Sequence, residues 1–285
     1  MLKKNGLWLN KRLGQNFLIN THVIDQTLEA AEINDNDYIV EIGPGMGILT
    51  NELARRAKKV TTVEFDSSII PTLENNIKEQ KNIEIINQDA LQFPLPTAEY
   101  KLVANIPYYI TSPLLNHFLN PKKRDAAADQ KPPAGTIAAA GRPEQLRPTL
   151  IVLLVQKEVA DKVCSTAGDH SVLSLEVQLF GKPHVETKVS RTGFFPEPKV
   201  DSAILKIKTY ETPLIEDTET FFRLIKAAFN QKRKTLNNSL KNGLRLTKEQ
   251  VETIFKNAGL DLAARPQSLE IEDWKKLVAE YKKVC

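Results

Sequence analysis

One short stretch has residue types that could act on an amine-bearing ring: Asn105-Ile106-Pro107-Tyr108, which follows the apolar run Leu102-Val103-Ala104 and precedes Tyr109-Ile110-Thr111-Ser112-Pro113. The exocyclic amino group of adenine or cytosine is a poor nucleophile, because its lone pair is delocalised into the ring. The Asn105 side-chain oxygen and a backbone carbonyl could each accept one of its N–H bonds, favouring a pyramidal nitrogen with its lone pair aimed at an electrophile. Pro107 fixes φ and removes a competing backbone donor. The Tyr108 ring can lie on the base, a contact worth about 1–3 kcal/mol. The same residue types also suit a strand end entering a turn, with Tyr108 in the core. Other strand ends decide between these readings.

Three further stretches supply the electrophile's side. Gly43-Pro44-Gly45-Met46-Gly47 stands between an apolar run and a helical pattern, where glycine lets the backbone approach a ligand closely. Its GxGxG spacing differs from the dinucleotide GxGxxG, and no phosphate-loop Lys-Ser/Thr pair is present, so a pyrophosphate is disfavoured. Glu64 comes 17 residues after Gly47 at a strand end, where a carboxylate can accept both hydroxyls of a ribose. Asp89, followed by Ala90, ends the next strand and could accept an adenine amino hydrogen. Any one of these is commonly just a polar strand end. Together and in this order they indicate an adenosyl ligand without pyrophosphate, hence S-adenosylmethionine. A methyl donor beside a base clamp implies methylation of an exocyclic amine. Methylation at a ring carbon would need a cysteine nucleophile in the loop, and the two cysteines are elsewhere, at Cys164 and Cys285. No metal is required, since a sulfonium is already activated and positioning can supply the rate.

The elements that must hold these residues alternate. Strands are expected over 37–42, 60–63, 83–86, 101–104 and 150–155, with helices over 48–57, from a Ser67 cap to 78, and over 156–163. Residues 172–180 fit either pattern and lean to helix, and 184–189 with 202–207 read as a terminal antiparallel pair. The expected fold is α/β, a doubly wound, mostly parallel sheet with ligands at the carboxyl ends of its strands. From Pro213 onward the pattern is helical, over about 218–229, 233–241, 247–257 and 270–283, with Thr247-Lys248-Glu249-Gln250 as a capping box. Two domains follow, a catalytic one over 1–212 and a small all-helical one over 213–285. Residues 121–148 are rich in Ala, Pro, Lys and Gly, where an α/β unit normally has a short connection, and read as a flexible surface insertion.

Composition narrows the class. The chain has 285 residues, 41% of them hydrophobic, enough for a substantial core. No run approaches a membrane span, and the apolar part of the first nine residues is too short for a signal peptide. Two cysteines give no disulfide framework, and His22, His117, His170 and His184 are too scattered for a zinc site. A cytoplasmic protein with no membrane partner is expected. The net charge of +4 is unevenly spread. Residues 1–12 hold Lys3, Lys4, Lys11 and Arg12 and no acid, residues 213–285 hold 14 basic against 10 acidic side chains, and the middle is net negative. Basic ends such as Lys11-Arg12 suit contact with an anionic polymer while the middle does the chemistry.

Taken jointly, Lys11 to Leu18, Glu41 to Thr50, Gln88-Asp89-Ala90, Asn105 to Tyr108, Val155 to Ala160, Phe194 to Ala203 and Ala228 to Leu236 resemble the ribosomal RNA adenine N6-dimethyltransferase family. The nearest branch dimethylates two adjacent adenosines near the 3′ end of small-subunit (16S) rRNA during ribosome biogenesis. The resemblance implies a Rossmann-like class I S-adenosylmethionine-dependent methyltransferase with a seven-stranded sheet, acting as a monomer on immature small (30S) subunits. It implies that Asn16 and Leu18 close over the cofactor, Gly43 and Gly45 line its methionyl part, Glu64 holds the ribose, and Asp89 and Ala90 hold the adenine. Asn105 would lie between cofactor and target within the catalytic Asn105-Ile106-Pro107-Tyr108 motif, and Tyr108 and Phe194 would sandwich a flipped base. Lys232, Arg233 and Lys234 would meet rRNA phosphates. One departure is Asp169-His170-Ser171-Val172-Leu173-Ser174, which lacks the Tyr-Gly pair expected before Leu-Ser. Two rival readings stay open: a large-subunit (23S) rRNA adenine methyltransferase of the macrolide-resistance type, and a non-catalytic ribosome-assembly factor.

Overall fold

The β-branched and apolar runs become strands because most of them have both faces to bury. A computed structural model describes residues 16–120, 146–231 and 234–284. Its strands are β1 (Phe17–Leu18), β2 (Tyr38–Ile42), β3 (Lys59–Glu64), β4 (Ile83–Asn87), β5 (Lys101–Asn105), β6 (Leu150–Gln156), β7 (Gly181–Val189), β8 (Phe194–Phe195) and β9 (Ser202–Thr209). Seven of them form one sheet in the order β4-β3-β2-β5-β6-β9-β7. The first five in that order are parallel, and β9 runs antiparallel to β6. Ile39, Val40, Leu102, Val103, Ile151, Val152 and Leu153 are fully buried at its centre. Burying each such side chain stabilises the fold by about 1.5–3 kcal/mol relative to leaving it in water.

The expected helices are present at Ile48–Ala54 (α2), Ile70–Ile77 (α3), Lys157–Val163 (α5) and Val172–Phe180 (α6). Two more are α1 (Thr21–Ala30) and α4 (Thr111–Leu119). Asn20 caps α1, its side-chain oxygen accepting from the His22 N–H at 3.0 Å. Ser67 does not cap α3. The Asp66 carboxylate takes both the N–H and the hydroxyl of Ser68, making a local turn, and the helix starts later at Ile70 with Pro71 in its first turn.

The described chain forms two compact units. One comprises Met1–Ala160 and His184–Thr209, the other Asp161–Pro183 and Tyr210–Cys285. The second therefore begins with a segment that the composition change at Pro213 assigned to the first domain. The reason is packing: Phe180 of α6 meets Phe222 at 6.2 Å, the Leu214 N–H donates to the Leu179 carbonyl, and the Gly168 N–H donates to that of Gln267. Within this unit lie α7 (Thr218–Phe229), α8 (Leu236–Leu244), α9 (Lys248–Ala258) and α10 (Ile271–Val284). Trp274 is fully buried, edge-on to Phe221 at 6.3 Å and stacked with Phe229 at 6.4 Å. The Thr247-Gln250 capping box forms as expected at the start of α9. Among the described residues no helix is long and apolar enough to cross a membrane.

Candidate active site

The strand order reverses its direction of growth between β2 and β5, and in an open α/β sheet ligands bind where that happens, outside the carboxyl ends of the strands. Ile42 pairs with Ala104, so the residues that follow, Gly43 and Asn105, emerge side by side. Gly43 has φ of +71°, and a Cβ placed on it would stand 3.3 Å from the Asn105 carbonyl oxygen. The position thus calls for glycine twice, by conformation and by space. At Gly45, φ is +55° and a Cβ would come within 2.9 Å of the Phe17 ring. The pocket so formed is lined by Asn16, Phe17, Leu18, Glu41, Gly43, Gly45, Glu64, Asn105 and Pro107, among others.

Two carboxylates face this pocket in different circumstances. Glu64, 6% exposed, ends β3; its Oε1 accepts from the Asp66 N–H at 2.8 Å and its Oε2 from the Gly45 N–H at 3.4 Å. Burial raises its pKa, and those backbone donors oppose the rise. Glu41, 1% exposed, lies inside β2, where burial pushes its pKa up to about 7. The Thr50 and Thr62 hydroxyls approach it and temper that rise, yet Glu41 Oε2 and both hydroxyls lack a partner with good hydrogen-bond geometry. An unsatisfied buried acceptor lining a pocket suits a ligand that brings a donor. Glu41 was not singled out in the sequence; the available signal was a charged residue inside an otherwise apolar strand, Tyr38-Ile39-Val40-Glu41-Ile42.

Asn105 is half-buried, and its Nδ2 donates to the Asn16 backbone carbonyl at 3.4 Å. That bond assigns the amide orientation, with Oδ1 as the group left to accept. Ile106 is buried, Pro107 has φ of −56°, and Tyr108 opens a single 3-10 turn, Tyr108–Ile110. The Tyr108 hydroxyl shares a 2.7 Å hydrogen bond with Ser202 Oγ, and burial raises its pKa. Phe194 is 3% exposed and belongs to the core cluster that includes Leu18, Ile24 and Val189. It is held there because β8 pairs with β1, Leu18 opposite Phe194 and Phe17 opposite Phe195.

Of the residues singled out for the cofactor, Asn16, Leu18, Gly43, Gly45, Glu64 and Asn105 therefore share one pocket. Asp89 and Ala90 are not among its lining residues. They follow β4, where Asp89 Oδ1 accepts from the Leu91 N–H at 2.9 Å and Ala90 is buried. Of the basic residues singled out for RNA, Lys11, Arg12, Lys232 and Arg233 lie outside the described residues, as does most of the 121–148 insertion. Lys234 is exposed in the helical unit. Among the described residues no group of His, Cys, Asp and Glu could hold a metal ion.

Comparison with known proteins identifies the family. Residues 6–283 match the family described as "Ribosomal RNA adenine dimethylase". A "Ribosomal RNA small subunit methyltransferase A" of Dehalococcoides mccartyi is 37% identical over 288 aligned residues, covering 99% of this chain and 91% of its own. The protein of the same name from Clostridium acetobutylicum is 37% identical, covering 98% and 96%. Among solved structures, a dimethyladenosine transferase from Plasmodium falciparum superposes with a TM-score of 0.74 at 27% identity, covering 94% of this chain and 98% of that one. The 23S rRNA methyltransferase ErmE gives 0.71 at 28%, covering 94% and 100%. The fold, the switch-point pocket and a match over nearly the whole length lead to one conclusion: the chain belongs to the ribosomal RNA adenine dimethylase family.

Proposed function

We propose that the protein is an S-adenosylmethionine-dependent methyltransferase that dimethylates N6 of two adjacent adenosines near the 3′ end of small-subunit rRNA. The observation that carries this reading is the place of Asn105, beside Gly43 at the switch point, with its Nδ2 engaged by the Asn16 carbonyl and its Oδ1 left to accept an amine hydrogen. The pocket suits the cofactor: Glu64 offers a carboxylate at the end of β3, and Gly43 allows close backbone approach. When bound, S-adenosylmethionine supplies an activated methyl group. The chain's own residues do the rest. Glu64 would hold ribose hydroxyls and Asn16 and Leu18 would close the methionyl side, while Asp89 and Ala90, which follow β4 outside the lining of this pocket, would take the adenine. Asn105 Oδ1 and a loop carbonyl accept the two N–H bonds of the target amine. Tyr108 offers a ring to the flipped base, whereas Phe194, expected from the sequence to complete the sandwich, is packed in the core around Leu18.

Small-subunit rRNA is favoured over large-subunit rRNA by sequence and not by fold. The 37%-identical relatives are named for the small subunit, whereas the fold is shared with a 23S enzyme at a TM-score of 0.71. With this reading go an immature small subunit as the substrate, action as a monomer, and a cytoplasmic location. The test is transfer of labelled methyl groups onto purified immature small subunits, large-subunit RNA and free DNA. Incorporation into the small subunit alone is expected; incorporation only into large-subunit RNA, or none, would overturn the proposal.

A further inference from the structure

Two aromatic doublets flank the pocket, Tyr108-Tyr109 and Phe194-Phe195, and each is split in the same way. In each, one ring is turned inward: Tyr108 is tied to Ser202 and Phe194 lies in the core. The second ring of each is turned outward, Tyr109 at 66% exposure and Phe195 at 46%. Both outward rings stand next to the site. Tyr109 comes two residues after Pro107, a pocket-lining residue, and Phe195 is the strand partner of Phe17, another. The Tyr108–Ser202 bond ties the loop carrying one ring to the strand that follows the other. A large aromatic left in water gains nothing for the fold, and such rings near a polynucleotide site serve as surfaces on which unpaired bases stack. Lys199, exposed on the segment that follows Phe195, adds a cation for the backbone of the same strand.

We infer that Tyr109 and Phe195 are stacking platforms for unpaired RNA bases beside the target adenosine, and that they hold the strand while Asn105 and Tyr108 act on the flipped base. This rests on the proposed action on RNA. The rings would act on binding and not on the methyl transfer step, so their removal should raise KM and leave kcat. The experiment measures methyl transfer to immature small subunits, together with direct binding of a single-stranded RNA oligomer containing two adjacent adenosines. Tyr109→Ala and Phe195→Ala should each weaken RNA binding and raise KM about tenfold, with kcat within about twofold. S-adenosylhomocysteine affinity should be unchanged. Tyr109→Trp and Phe195→Trp should restore binding, and Trp emission at either position should be quenched by the oligomer. Unchanged RNA binding in both alanine variants, or a loss confined to kcat, would overturn the inference. If the wild-type protein binds the oligomer through these rings yet methylates none of the RNAs, the enzymatic reading fails and the platform stands.

Discussion

In the helical unit, Trp274 is enclosed by Phe221 and Phe229, and α9 begins on a two-way capping box. Around the carboxyl ends of β2 and β5, by contrast, Gly43, Gly45 and Gly47 hold left-handed backbone, a buried carboxylate lacks a good partner, and the Tyr109 ring is largely exposed. Each region contains an unsatisfied buried group, but of a different kind. Trp274 Nε1 is a neutral donor inside a packed core, whereas Glu41 Oε2 is an ionisable acceptor at a pocket. The first is a small cost of filling space with a large ring. The second is a cost that a ligand can relieve, and local stability is given up where binding needs it.

The sharpest way to break this contrast is to exchange the roles. Trp274→Ala should cost about 3–5 kcal/mol in denaturant unfolding, while Trp274→Phe, which leaves a smaller cavity and also removes the unpaired N–H, should cost less than Trp274→Ala. Cofactor affinity of the folded Trp274→Phe protein should match wild type; a weakened affinity would mean that the helical core is not purely structural. Glu41 should respond to pH. Its folded-state pKa is raised, so its share of stability is fully present below the ordinary carboxylate range and is lost as the pH climbs through about 7. Glu41→Gln should therefore be more stable than wild type by about 1–3 kcal/mol at pH 8, with the difference shrinking towards pH 5. A gain that does not vary with pH would mean that Glu41 is not the titrating group. Thr247→Ala removes one half of the capping box and should cost about 0.5–2 kcal/mol, read as a drop in Tm. No change in methyl transfer should accompany it.

How much of this was legible in the sequence differs between the same two regions. Strands β2, β3, β5 and β6 were visible because strands inside a parallel sheet need nearly continuous apolar side chains. Helix α9 was announced by its cap. Helix α1 had Val23, Ile24, Thr27 and Leu28 on one face but lacked an acidic first turn, and α4 was hidden by Pro107 and Pro113, which read as turn residues. The β1–β8 pair had no local signal at all: two residues on each side meet across most of the chain. That pair sends Phe194 inward and Phe195 outward, and because successive strand residues face opposite ways, sequence alone cannot say which of the two is exposed. Gly43, Glu64 and Asn105 were legible because their positions follow from strand ends. The unpaired state of Glu41 Oε2 was not, because it depends on how the Thr50 and Thr62 hydroxyls sit around it.

The central claim is that Asn105 accepts a hydrogen from the target amine at the strand end beside Gly43. It is tested most directly by Asn105→Ala, with methyl transfer to immature small subunits and S-adenosylmethionine binding measured on the same preparation. Loss of transfer by at least about a hundredfold, with cofactor binding still measurable, is the expected result; turnover retained near the wild-type rate would contradict it.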